Sequence, residues 1–357
     1  MNQYRIFISY SSEDIELVQK IVAIIEENGL QPMWSENFAV GHGFPDQIKS
    51  YIAHSHVFVP VLTNASSKRG WVHQEIGYAT ALQIPILPIT LEQLPGEMLQ
   101  HLQAIPWCDD ENRMRDHLSR KTFEKLVHDS GKESRPLYES ADLHEHRTMM
   151  MVDYAEKVKS MDYFGRVRQK GALSSFHIPD KGFEDSAWQQ RYGPGRADIY
   201  RFRYEWLRQE RKILEAHAKK EGCSLIIDPF FDFSGYGPQA RYVRLNELLE
   251  FLMIMPDDMV HVAIHKRMAA DENITIVGNW FLAATVSNRM GMGYKQTIFT
   301  RHAPTIQERI EKFDDEFRSL LNKQKETGKS SRQTAMHIIE CEMKKLQQEI
   351  DKDIIQG

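Results

Sequence analysis

Along the first third of the chain, two kinds of apolar pattern alternate. "YRIFISYS" and "HVFVPVLT" are short, nearly continuous runs rich in β-branched and aromatic residues, as strands buried on both faces are. Between them Ile15, Val18, Val22 and Ile25 recur at helical spacing until Asn28-Gly29, which predicts an amphipathic helix with a glycine stop. Ser11 and Asp14 read as a capping-box-like start to that helix. "LQPMWS" predicts a second strand, "ENFAVGHGFPDQ" a glycine-bearing loop and "DQIKSYIAHS" a short helix. "GWVHQEIGYATALQ" reads as a helix and "IPILPIT" as another buried strand. This alternation predicts a parallel sheet covered on both faces. Pro60, Pro85 and Pro88 interrupt the strand patterns and are expected at strand ends or bulges, because proline cannot donate to a central ladder.

From Asn112 to Met150 the pattern becomes polar and histidine-rich, predicting a terminal helix and then a linker over 131–150. A second α/β region follows over 151–328. "CSLIIDPFF", "VHVAIH" and "ITIVGNWF" are its strand candidates, and "RFRYEWLRQERKILEAHAKKEG" and "RLNELLEFLMIM" its helices. "GMGYKQT" reads as a turn. In the tail, 329–357, Ile339, Met343, Leu346, Ile350 and Ile354 form one apolar stripe, expected to dock or self-associate.

Composition adds limits rather than detail. Hydrophobic residues make 41% and charged residues 27% of 357, an ordinary soluble balance. A formal charge of -5 and a pI near 6.3 do not suggest a general nucleic-acid binder. No apolar run approaches the roughly 18 residues of a membrane span, so no membrane association is expected. "MNQYRIFISYSS" passes straight into a strand pattern, so no secretory leader is expected. Cys108, Cys223 and Cys341 lie far apart, which suits a cytoplasmic location with neither disulfides nor a metal site.

"FISYSSED", "GHGFPDQIKSYIAHSHVFVPVLTNAS" and "GWVHQEIGYA", in that order, resemble a TIR (Toll/interleukin-1 receptor) domain, and more narrowly the TIR domains that cleave NAD. The resemblance covers residues 1–130 and implies a flavodoxin-like parallel sheet there, followed by a second α/β domain and a C-terminal helix. It implies Glu75 as the catalytic residue and Phe44, Ser67 and Trp71 as substrate-binding residues. Ser9 and Tyr10, which end the first strand where ligands of open α/β sheets bind, and Trp34, which ends the second, join them, a structural role for Ser9 and Tyr10 being the alternative. NAD enters as substrate, with no further cofactor. "GHGF" holds one residue more than a simple "GxF" pattern, which leaves the register of Phe44 open, and Lys68 stands where related enzymes carry a small polar residue.

The chemistry also stands by itself. Breaking the nicotinamide–ribose bond passes through an oxocarbenium-like state. Nicotinamide is already cationic in NAD and departs neutral, so no general acid is needed. One carboxylate that stabilises the ribosyl cation and bonds its hydroxyls suffices. Trp71 and Glu75 stand four apart and share a helix face. Spacing alone also fits an ordinary amphipathic helix; the surrounding order of motifs favours a site. At Glu75 the nearby helix N-terminus favours the carboxylate and a closed aromatic site disfavours it; it is expected to stay ionised because the transition state gains positive charge.

In the C-terminal half, Lys266, Asp271 and Gly278 match the spacing of a phospholipase D motif. Ile264 occupies the histidine position, with His265 one residue late, so the expectation is at most a degenerate, inactive phospholipase D-like domain. "RYGPGRADIYRFRYEWLRQERK" interleaves basic and aromatic residues, a pattern that suits a nucleotide or single-stranded ligand; a solvated helix face with snorkelling arginines is the plainer reading. Pairings of this kind resemble bacterial antiphage effectors. They imply a regulatory C-terminal half, a nucleotide or protein trigger, and homo-oligomers through both regions. The alternative is a TIR scaffold without enzymatic activity.

Overall fold

The computed structural model describes residues 4–34, 44–68, 70–91, 102–133, 138–141, 144–176, 197–232, 237–268, 273–287, 295–324 and 328–356. It divides into one unit of residues 1–137 with 301–305 and another of 138–300 with 306–357.

The first unit is built on five parallel strands, β1 (Arg5–Ser9), β2 (Gln31–Met33), β3 (Val57–Leu62), β4 (Ile89–Thr90) and β5 (Ile105–Pro106), in the order β2-β1-β3-β4-β5. This is the flavodoxin-like order, whose switch point lies between β1 and β3. Its helices are α1 (Ile15–Glu27), α2 (Phe44–His54), α3 (Gly70–Ala81), α4 (Glu111–His117) and α5 (Arg120–Glu133). Successive residues of a strand point to opposite faces, and β1 follows that rule. Ile6 and Ile8 pack with Val18, Ile21 and Ile25 of α1 and Phe123 of α5. Phe7 turns to the other face and meets Phe58 and Tyr51 of α2. The helix stop falls where expected: Asn28 caps α1 and Gly29 takes φ +69.

Pro85 and Pro88 lie outside strands, as expected, but Pro60 sits inside β3, in register with Ser9. The reason is local. Phe58 N donates to Pro85 O, and Phe58 O accepts from Leu87 N. The β3–β4 ladder resumes only at Val61–Ile89. The N–H that Pro60 lacks thus falls opposite the irregular Leu87–Pro88 stretch, where no ladder bond is formed.

The second unit carries β6 (Tyr138–Ala141), β7 (Val167–Lys170), β8 (Cys223–Ile227), β9 (Val260–Ile264), β10 (Ile274–Val277), β11 (Phe281–Ser287) and β12 (Lys295–Thr300). They form one mixed sheet, ordered β6-β12-β11-β10-β7-β8-β9, with β7, β8 and β9 parallel. Its helices are α6 (His144–Ser160), α7 (Ala197–Glu221), α8 (Pro238–Ile254), α9 (Ala303–Gln324) and α10 (Ser331–Gln356). Ile306, Ile310, Phe313 and Phe317 close one core over Ile226, Ala263 and Ile276.

Three expectations are corrected here. The linker over 131–150 instead holds β6, paired with β12, and the first turns of α6; polar sequence hid an edge strand. The Lys295–Thr297 end of "GMGYKQT" begins β12 rather than a turn. The arginine-rich stretch is not simply a solvated face. Arg211 is buried against Glu247 and lies over the Phe176 ring at 5.0 Å, and Glu210 is buried with Arg147. The tail stripe is docked: Ile339 and Leu346 are buried, α10 packs on α8, and Glu342 pairs with Arg241.

Candidate active site

The carboxyl edge of the first sheet is the place to look, because ligands of open α/β sheets bind beyond the strand ends at the switch point. β1 ends at Ser9 and β3 at Leu62, each followed by a polar stretch, "YSSED" and "TNASS". α3 starts after the second stretch and brings Glu75 in. Val72, Glu75, Ile76 and Ala79 form its buried face.

Glu75 is 7% exposed, and its Oε2 reaches hydrogen-bond geometry with no atom of the described residues. Ser9 Oγ is in the same condition. The two are close enough that the Ser9 hydroxyl favours the carboxylate, but burial outweighs it and pushes the Glu75 carboxyl up to about 7. In the domain without substrate, Glu75 is therefore held near the midpoint of its ionisation at neutral pH rather than wholly ionised. The cause is position: Glu75 is the sixth residue of α3, beyond the first turn, where the helix dipole has faded. Buried polar atoms are almost always hydrogen-bonded. At this strand end the Glu75 carboxyl and the Ser9 hydroxyl lie close together, and among the described residues Glu75 Oε2 and Ser9 Oγ have no hydrogen bond of good geometry. Ser11 Oγ, two residues on, is also buried and unpartnered.

The other predicted residues scatter around this pair. Trp71 stands one turn before Glu75 and is 38% exposed, at the rim rather than inside. Ser67 is half-buried in the loop before α3, its carbonyl oxygen 3.2 Å from His73 Nε2. Tyr10 and Trp34 pack on each other, ring centroids 6.1 Å apart, within the core on the α1 side. They line the opposite face of the sheet from Phe7 and Tyr51. Phe44 opens α2, and its side chain lies outside the described residues.

Reading the sequence missed Thr63 and the use made of Asp14. Thr63 Oγ1 donates to Asp14 Oδ2 at 2.8 Å, tying the two polar stretches together. The signal was available: both residues lie just past the ends of strands that neighbour each other at a switch point. Asp14 was instead read as a helix-capping residue, yet neither it nor Ser11 makes a side-chain capping bond.

Among the described residues the phospholipase D spacing is not seen to build a site. Ile264 is buried at the end of β9, His265 and Lys266 follow it in a loop, and Asp271 lies outside the described residues. Gly278 has its own reason to be glycine. It takes φ +54, and a Cβ there would meet Trp280 Cδ1 at 2.9 Å and Gly165 Cα at 3.0 Å.

A flavodoxin-like domain with a partnerless acid at its switch point is the class that fold and site define. Residues 6–126 match the TIR domain family model, and this part of the chain is a TIR domain. Among solved structures, the TIR domain of the Toll-related receptor TRR-2 from Hydra magnipapillata is 22% identical, covering 35% of this chain and 98% of that one, with a TM-score of 0.30. The CMP N-glycosidase BcmB of Clostridium botulinum is 18% identical, covering 32% of this chain and 97% of its own, with a TM-score of 0.24. The archaeal chromatin protein TrmBL2 is 10% identical over 59% of this chain and 66% of its own, with a TM-score of 0.29. At those TM-scores none bears on activity. No curated protein matches the chain. Among the described residues no helix is long and apolar enough to cross a membrane.

Proposed function

We propose that the TIR domain cleaves the nicotinamide–ribose bond of NAD, as a hydrolase or an ADP-ribosyl cyclase, with Glu75 as its catalytic carboxylate. The observation that carries this reading is the buried Glu75 Oε2, unpartnered beside an equally unpartnered Ser9 Oγ at the carboxyl edge of the sheet. A ribosyl ring placed there supplies hydroxyl donors to both oxygens. As the C–N bond breaks, its electron pair leaves with nicotinamide, which departs neutral, and positive charge grows on the sugar. An adjacent carboxylate stabilises that charge most strongly where water is excluded. Water then attacks C1′ to give ADP-ribose, or the adenine ring of the same molecule attacks to give a cyclic product. Trp71, at the rim, offers an aromatic wall to the departing ring. Phe44, at the start of α2, and Ser67, in the loop before α3, are further substrate contacts in this reading.

The second unit regulates this activity in the same reading, through a nucleotide or protein trigger and through homo-oligomer formation, as suits a bacterial antiphage effector. A trigger acts by binding the associated form better than the free one.

The test is nicotinamide release from NAD by the full chain, before and after forced association, compared with Glu75→Gln. Release that disappears with Glu75→Gln supports the reading. Equal and negligible release under every condition favours a TIR scaffold, a reading that the exposed Trp71 indole also suits as a contact between domains.

A further inference from the structure

Asp14 stands immediately before α1, in the N-cap position, where an aspartate ordinarily accepts a backbone N–H of the first turn. Here it accepts none from its own helix. Its Oδ2 reaches across 49 residues of sequence to accept the Thr63 hydroxyl at 2.8 Å. That hydroxyl is a hub. Its lone pairs accept Ala65 N at 3.2 Å and Ser66 N at 3.1 Å, while Thr63 N donates to Ser66 Oγ at 2.7 Å. A threonine hydroxyl has one proton and two lone pairs, so every capacity of this one is used. The bonding continues toward α3. Ser67 N donates to Thr63 O at 3.0 Å, and His73, in the first turn of α3, reaches Ser67 O. Asp14 thus fixes a loop that leads directly into the helix bearing Glu75.

We infer that Asp14 is a positioning residue, a latch that through Thr63 holds the β3–α3 loop and so sets Glu75 against Ser9 at the end of β1. The inference rests on the proposed NAD cleavage. A latch of this kind acts on the chemical step, because a carboxylate displaced by about 1 Å loses much of its effect on a transition state, on the order of a hundredfold. It acts less on binding, since most of a dinucleotide lies away from Glu75.

The experiment uses the full chain with NAD, wild type beside Glu75→Gln, Asp14→Ala, Thr63→Val, their double variant, Asp14→Asn and Thr63→Ser. Thermal melting monitors the fold of each. Asp14→Ala and Thr63→Val are expected to lower kcat about tenfold, with KM within about twofold. Their acid limb of kcat/KM is expected to move down by about half a pH unit, because a loosened α3 admits water to Glu75. The double variant falls no further than the worse single one, as two ends of one bond must. Asparagine still accepts the Thr63 proton and serine keeps the hydroxyl, so both conservative variants hold at least about half of wild-type kcat. Full loss in those two, multiplying effects in the double variant, or wild-type kcat in Asp14→Ala overturns the latch. If wild type is active and Glu75→Gln is not, such a result removes the latch alone. If wild type releases no more nicotinamide than Glu75→Gln, the proposed function falls and takes the latch with it.

Discussion

Replacing Glu75 by glutamine isolates what the buried acid does to the fold. Burial lifts its carboxyl from 4.5 to about 7, so the folded chain holds this proton more tightly than the unfolded chain does. Below about pH 4.5 both states are protonated and the group costs nothing. As the pH climbs from 4.5 toward 7, the unfolded state ionises first and stability falls; above that range the whole cost remains. At ~1.36 kcal/mol per pH unit, the gap between 4.5 and about 7 amounts to ~3 kcal/mol at pH 8 and ~1 kcal/mol at pH 5. Glutamine keeps the size of the side chain and removes the ionisation. Glu75→Gln is therefore expected to exceed wild type in stability by ~3 kcal/mol at pH 8 and by ~1 kcal/mol at pH 5. In thermal melts followed by tryptophan fluorescence, the larger figure corresponds to roughly 10 °C. A gain that does not change between the two pH values, or a loss at pH 8, would refute the reasoning.

Other consequences can be checked one at a time. The kcat/KM for nicotinamide release is expected to rise with pH up to about 7, as Glu75 ionises, and then to level; a profile flat from about pH 5 to 8 contradicts it. Trp71→Ala, at an exposed position, should leave stability within about 0.5 kcal/mol while raising KM for NAD in steady-state assays. Ile339→Ala opens a cavity under the docked tail and should cost about 2–4 kcal/mol in urea unfolding. Gly278→Ala forces a side chain onto φ +54 against Trp280 and Gly165, and the same unfolding assay should register a loss of about 1–3 kcal/mol.

Much of the first unit was legible because its elements are strongly patterned. Continuous apolar strands and the Ile15–Ile25 helix spacing reappear as β1, β3 and α1, with Asn28-Gly29 at the stop. Pro60 misled because proline was judged by its strand alone, whereas its cost depends on what the neighbouring strand offers at that height. The second unit was less legible. β6, "YESA", and β12, "KQTIFT", lack long apolar runs because they lie at one side of a mixed sheet. Arg211 and Glu247 lie far apart in sequence, so no local pattern announces that they meet in the interior. At the site, the motif order located Glu75, and strand-end reasoning located Ser9. The Asp14–Thr63 bond is a tertiary fact between two ordinary polar residues, invisible until β1 and β3 are known to be neighbours.

In the proposed reading, the raised Glu75 carboxyl and the Ser9 hydroxyl beside it are the groups a substrate would meet. Desolvation is the larger cause of the shift, and the Ser9 hydroxyl only partly offsets it. A substrate that brings hydroxyl donors and a cationic ring supplies both missing partners, and each favours the carboxylate over the acid. Binding must then draw the Glu75 proton off in the bound state. The acid limb of kcat, which reports the complex, should accordingly lie at lower pH than that of kcat/KM, which reports the free enzyme. If the proposed cleavage holds, the separation of the two limbs measures how much of the stability lost at Glu75 the substrate recovers.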